Sequence, residues 1–144
     1  MRFVAKYTHK KDEEGSKMLI DKGAFGEVHL ATASEGNEEV AIKTPYGIDE
    51  MDTAIRAVRE GMKEVRIWQQ ISRCPFVLPL LDQFVLKNEN NVPVMVTVTP
   101  FIKSGTLHNR VEAKGKLPAM EAWLVAYQLS LAVNYMHGFK IVST

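Results

Sequence analysis

Ile20-Asp21-Lys22-Gly23-Ala24-Phe25-Gly26-Glu27-Val28, followed by Val40-Ala41-Ile42-Lys43, is the stretch on which the fold turns. Met18–Leu19 and Val28–Ala31 read as strands flanking Gly23 and Gly26, and Ser34-Glu35-Gly36-Asn37 is a turn cluster before a third strand at Val40–Lys43. Three strands therefore follow one another as a meander. The spacing Gly-x-x-Gly is by itself equally well explained by a hairpin turn. Gly26 leads into a strand and not a helix, which argues against dinucleotide-binding and Walker-type loops, since both require a helix there.

Downstream, apolar residues fall at Met51, Ala54, Val58, Met62, Val65 and Trp68, a spacing of three to four that predicts an amphipathic helix over Asp49–Ile71 with Asp49 as its N-cap. Leu78–Phe84 and Val94–Val98 then read as two strands of a hairpin joined by the polar turn Lys87-Asn88-Glu89-Asn90-Asn91. Ile102-Lys103-Ser104-Gly105 is a short linker, and a further helix starts near Pro118 and is capped by Gly138. The run Lys10–Glu14 is read as a solvated turn.

The chain has 144 residues, 46% hydrophobic and 24% charged, with 18 Lys and Arg against 17 Asp and Glu. Its net charge therefore gives no pull toward nucleic acid or an anionic membrane surface. The longest apolar stretch, Trp123–Met136, is interrupted by Gln128 and Asn134 and falls short of the about 18–20 residues a membrane span requires, so it reads as a buried helix. The first residues lack the apolar core of a secretory signal, and Cys74 is the only cysteine, so an intracellular, cytoplasmic location is expected, with Cys74 as a small buried side chain.

With these elements in order, the glycine-containing segment Ile20–Val28 and Val40-Ala41-Ile42-Lys43 resemble the glycine-rich loop and the strand-three lysine motif of eukaryotic-type protein kinase domains. The resemblance runs from about Lys17 to the end and covers the N-terminal part of such a domain. It implies an α+β fold: a five-stranded antiparallel sheet plus one long helix (an N-lobe, residues 17–102, after a leader, 1–16), followed by the first helices of an incomplete C-lobe (103–144). It also implies ATP, with Mg²⁺, as the bound cofactor. Physically, glycines without Cβ atoms let backbone N–H groups approach phosphate oxygens, and a nearby lysine supplies countercharge.

The family pattern assigns roles residue by residue. Ile20, Asp21, Lys22, Gly23, Ala24, Phe25, Gly26, Glu27 and Val28 would form the loop over the nucleotide. Lys43 would hold the phosphates, itself held by a glutamate from the long helix: Glu64 is chosen, with Glu60, one turn earlier, as competitor. Thr99 would be the gatekeeper, and Pro100, Phe101 and Ile102 the hinge; Pro100 lacks an N–H, but the family uses the carbonyl there and the N–H two residues on, at Ile102. Val28 and Ala41 would cover the adenine from above and Leu107 from below, while Trp68 and Leu80 would stand behind the lysine–glutamate pair. No metal ligand is assigned within the chain.

Two departures from the family pattern matter. Asp21 stands where the family usually has the first glycine; a carboxylate about 8 Å from a phosphate, at an effective dielectric near 20, opposes binding by roughly 2 kcal/mol per unit charge before screening. Second, where the family continues into His-Arg-Asp, an Asn and Asp-Phe-Gly, this sequence reads Ser143-Thr144 and stops. These 144 residues are therefore expected to lack the base and the Mg²⁺ ligands and not to transfer phosphate by themselves. The complete domain would act on a protein hydroxyl, Ser/Thr favoured over Tyr; the alternative is a truncated pseudokinase that binds nucleotide or another kinase. The helix Glu121–His137 is apolar on nearly every face, so a second lobe or a protein partner is expected to cover it.

Overall fold

The computed structural model describes residues 6–142; residues 1–5 of the expected leader, and Ser143-Thr144, lie outside the described residues. Its strands are β1 (Tyr7–His9), β2 (Leu19–Lys22), β3 (Gly26–Ala33), β4 (Glu39–Pro45), β5 (Asp82–Lys87) and β6 (Pro93–Pro100), and its helices α1 (Met51–Ile71), α2 (Leu107–Lys114) and α3 (Ala119–Gly138). The strands form one antiparallel sheet, order β1-β3-β4-β6-β5 with β2 also paired to β3, curled into a half-barrel. This is the expected α+β arrangement with one strand more than the five anticipated.

Strand alternation decides what each face carries. Val40 and Ile42 on β4 are fully buried and share a face with Ala31, Val96 and Val98, which close into the core with Tyr7 and partly buried Phe84 and Leu86. Ala41 and Lys43, one residue out of phase, point to the other face. There α1 lies across β6: Ala54, Val65 and Ile71 are its buried residues, and Gly61 sits directly against Met95. Of the expected stripe, Val58, Met62 and Trp68 are half-buried and Met51 is exposed.

The additional strand comes from the segment read as a leader. Tyr7–His9 pairs with Ala31–Ala33, while β2 pairs with Glu27–His29 further along the same side of β3. Between them the chain leaves the sheet in a tight hairpin: Lys11 bridges Lys17, and the Asp12 carboxylate accepts the Glu14 and Ser16 N–H groups at 3.0 and 2.8 Å. Gly15, at φ 80°, supplies the left-handed turn residue. Met18 N–H returns to the Lys10 carbonyl at 2.9 Å, so two short lengths of strand do the work of one long one.

Several boundaries differ from expectation for local reasons. The β5 strand begins at Asp82, not Leu78, because the preceding backbone is taken by the end of α1: the Trp68 indole N–H donates to the Leu78 carbonyl (2.7 Å) and Leu80 N–H to the Ser72 hydroxyl (3.0 Å). The N-cap of α1 is Glu50, while Asp49 instead accepts from the Asn90 amide at 3.1 Å. Gly138 remains helical, and the chain leaves α3 through Phe139 and then Lys140 at φ 58°. Helix α2, not located from the sequence, is started by a capping box between Thr106 and Asn109 and tied to α3 by Arg110 and Lys114 on Glu121. Cys74 is buried, as expected for a small apolar side chain.

Between β1 and β3 the His9 and His29 rings meet edge to face at 6.0 Å, and His29 Nε2 lies 3.6 Å from Glu27. Burial first, then Lys17 and His29, lower the His9 pKa to about 4. In the unfolded chain His9 protonates near 6.5, so between that pH and about 4 the unfolded state binds the extra proton. Stability is therefore expected to fall as pH drops through this window and to gain nothing further from His9 below it. Melting temperatures of wild type and His9→Gln across pH 4–8 check this: the variant should show a shallower acid slope, and parallel curves would refute it.

Candidate functional site

The register of four strands assembles one face. Asp21 on β2 is opposite Val28 on β3, Val28 is opposite Lys43 on β4, and Lys43 is opposite Thr97 on β6. The next row carries Ala41 opposite Thr99. Directly opposed residues of antiparallel strands share a face. Asp21, Val28, Ala41, Lys43, Thr97 and Thr99 therefore all lie on the side of the sheet that α1 partly covers. Ile42, at 0% exposure on the opposite side, fixes this phase: its burial forces Lys43 outward.

The turn between β2 and β3 is narrow. Gly23 N–H donates to the Gly26 carbonyl at 3.0 Å, and Tyr46 N–H, just past β4, donates to the Phe25 carbonyl at 3.1 Å. The two glycines serve different needs. A Cβ on Gly26 would stand 2.8 Å from Pro45 Cα and 3.0 Å from the Thr44 carbonyl carbon, so this glycine is required by the close approach of β4. A Cβ on Gly23 would meet only the Gly26 carbonyl oxygen, at 3.9 Å, so the space beside this residue is open even though its N–H is engaged by the turn. Ile20 and Ala24 are exposed, and Phe25 at the tip is 83% exposed. Lys22 pairs with Glu27 at 3.2 Å, and the Asp21 carboxylate accepts only the neighbouring Lys22 N–H among its described hydrogen bonds (2.8 Å).

Between α1 and the sheet lies a cavity of about 570 Å³, within the size range of small-molecule sites. Lys43, Glu60 and Glu64 line it together with Phe25, Tyr46 and Met95. Among the described residues no ion pair joins Lys43 to either glutamate. Glu60 is held instead by Lys63, one turn along the helix, at 2.8 Å. The residues expected around the adenine lie outside this cavity: Val28, Ala41 and Thr99 are half-buried along this sheet face, Pro100 is half-buried opposite Val40 in the other phase, and Ile102 and Leu107 are exposed beyond β6. Phe101 N–H donates to the Glu39 carbonyl at 3.1 Å, which anchors the start of the connection to β4. Leu80 is half-buried beyond α1.

Tyr46 and Met95 were not foreseen. Met95 was within reach of sequence reasoning, being in phase with Thr97 and Thr99 on a strand whose other phase, Val96 and Val98, is buried. Tyr46 carries no such signal, because it follows the strand and is placed by its bond to the turn.

A family model described as the protein kinase domain matches residues 16–143. CBL-interacting serine/threonine-protein kinase 2 of Arabidopsis thaliana is 31% identical over 120 residues, which is 83% of this chain and 24% of that protein. Serine/threonine-protein kinase 36 of Pongo abelii is 28% identical over 124 residues, 86% of this chain and 9% of the relative. Calcium/calmodulin-dependent protein kinase type 1 of Macrobrachium nipponense is 26% identical over 152 residues, 96% of this chain and 41% of the relative. The chain thus spans about a quarter of the length of CBL-interacting kinase 2.

Proposed function

Because the chain belongs to the protein kinase domain family, we propose that it supplies the nucleotide-binding part of a kinase domain that takes ATP, with Mg²⁺ carried on the phosphates. The observation that carries this reading is the row Asp21–Val28–Lys43–Thr97, which puts the loop strand and the lysine on one face beside the cavity that Glu64 lines. Backbone N–H groups of the Ile20–Val28 loop, reached past Gly23 where no Cβ intervenes, and the Lys43 ammonium would hold phosphate oxygens. Glu64 would steady Lys43, since Glu60 is engaged by Lys63. Val28, Ala41, Thr99, the Pro100 carbonyl, the Ile102 N–H and Leu107 would receive the base. In a complete domain the reaction would be transfer to a Ser/Thr hydroxyl, a preference supported by the serine/threonine kinase names of the relatives.

Lys43 is exposed, so its removal should leave the fold intact and remove countercharge. Lys43→Ala is expected to weaken MgATP binding about tenfold, close to 1.4 kcal/mol, while the melting temperature without nucleotide stays put. A thermal-shift titration reads both, because a ligand that binds only the native state raises stability in proportion to RT ln(1 + [L]/Kd). Identical nucleotide shifts in wild type and variant would reject the reading.

One observation favours a second role, as a protein-binding module. Helix α3 buries only Ala132, and Met120, Leu124, Tyr127, Leu129 and Val133 are all open to solvent along with Trp123, 59% exposed and stacked on Tyr127. The remainder of a kinase domain or a separate protein would cover this face.

A further inference from the structure

We infer that Asp21 tunes this site by ligand charge, lowering its affinity for the triphosphate more than for lower phosphates and leaving adenosine unaffected; the inference rests on the nucleotide reading above. The geometry is that of the cross-strand row. Asp21 shares a face with Val28 and Lys43, two strand spacings from the lysine, or about 10 Å between backbones. Its neighbour Lys22 belongs to the opposite phase of β2, where it is opposite Glu27 and pairs with it at 3.2 Å, so its charge is already engaged. Phosphates held by Lys43 beneath the turn would therefore lie between one cation and one carboxylate on the same face.

Exposure of Asp21 keeps this effect moderate and salt-dependent. Across about 8 Å at an effective dielectric near 20, reduced by roughly one Debye length of screening, each ligand charge near the loop changes Kd about fourfold. The effect accumulates along the series adenosine, ADP, ATP, because each phosphate adds negative charge and the nucleoside has none. A glycine at this position would impose no such ranking.

The test is calorimetric titration of the 144-residue chain and its Asp21→Asn and Asp21→Glu variants with adenosine, ADP and ATP, with and without Mg²⁺. Asp21→Asn keeps the side-chain shape and removes the charge. With about two of its charges near the loop, metal-free ATP is expected to tighten roughly fifteenfold, ADP by less, and adenosine not at all. The gain should shrink in Mg²⁺ and at high salt, and Asp21→Glu should show none of it. Equal gains for all three ligands, or no gain for ATP when adenosine still binds, would overturn the inference and leave the nucleotide reading standing. Absence of binding by any of the three to wild type or variants would overturn both.

Discussion

Tyr7→Ala is expected to cost about 3–5 kcal/mol of stability, the range for deleting a buried aromatic side chain, and to lower the melting temperature by roughly 10 °C or more. Tyr7 is 7% exposed and belongs to a strand of only three residues, so its own backbone pairing with Ala33 cannot account for an effect of that size. What it does is join the ends of the sheet. From β1, hydrogen-bonded along β3, its ring reaches β5 and meets Phe84 edge-on at 5.9 Å, while its hydroxyl donates to the Asp82 carboxylate at 3.2 Å. The Lys6 ammonium closes on the same carboxylate. Side chains thus complete a barrel that the backbone leaves half open. Tyr7→Phe keeps the ring and should cost only about 1 kcal/mol, the net worth of one hydrogen bond. Calorimetric unfolding of the two variants separates the contributions, and a loss below about 1 kcal/mol for Tyr7→Ala would show that the contact across the barrel is dispensable.

Gly26→Ala should be the more damaging of the two loop-glycine substitutions, by about 2–3 kcal/mol. The added methyl would be pressed against Pro45 and Thr44 backbone, which cannot rotate aside as a side chain can, so β3 must separate from β4 at the end nearest Lys43. Some of that cost is offset by the smaller entropy of the unfolded alanine chain, about 0.4–1 kcal/mol, and the same offset acts at Gly23 without a clash to oppose it. Gly23→Ala should therefore raise the melting temperature by about one to four degrees and act otherwise on nucleotide affinity. Parallel thermal melts and ATP titrations of both variants give the answer; equal destabilisation would mean that the turn, and not the approach of β4, demands glycine.

How far the sequence could be read depends on the scale of the determinant. Val40-Ala41-Ile42-Lys43 was legible as a strand because a short apolar run follows the turn cluster Ser34–Asn37, and in the fold the alternation of burial along it orients Lys43. The long α1 was legible because its apolar spacing persists over 21 residues. Tyr7–His9 was not, since three residues cannot display a period, and their partner lies more than twenty residues away in β3. Leu78–Leu81 looks like a strand by composition, yet Trp68 and Ser72 claim its backbone from another element. In α2 the polar sequence hides the helix, and the cap is closed by an Asn at a position where Glu or Gln is the usual signal. For the site, motif order was sufficient to nominate Lys43 and Glu64, but the engagement of Glu60 by Lys63 is a matter of side-chain geometry that spacing alone leaves open.

The hairpin at Lys11–Lys17 also bears on solubility. An uninterrupted outer strand would offer a row of unpaired backbone groups on which a foreign strand could grow the sheet. Here that margin is cut into lengths of three and four residues, and between them projects a loop studded with Lys11, Asp12, Glu13, Glu14 and Lys17. A second copy approaching edge to edge would have to displace this charged spur before it could pair. The margin therefore resists the strand-by-strand growth that seeds fibrils, even in a molecule that exposes so much apolar surface on α3.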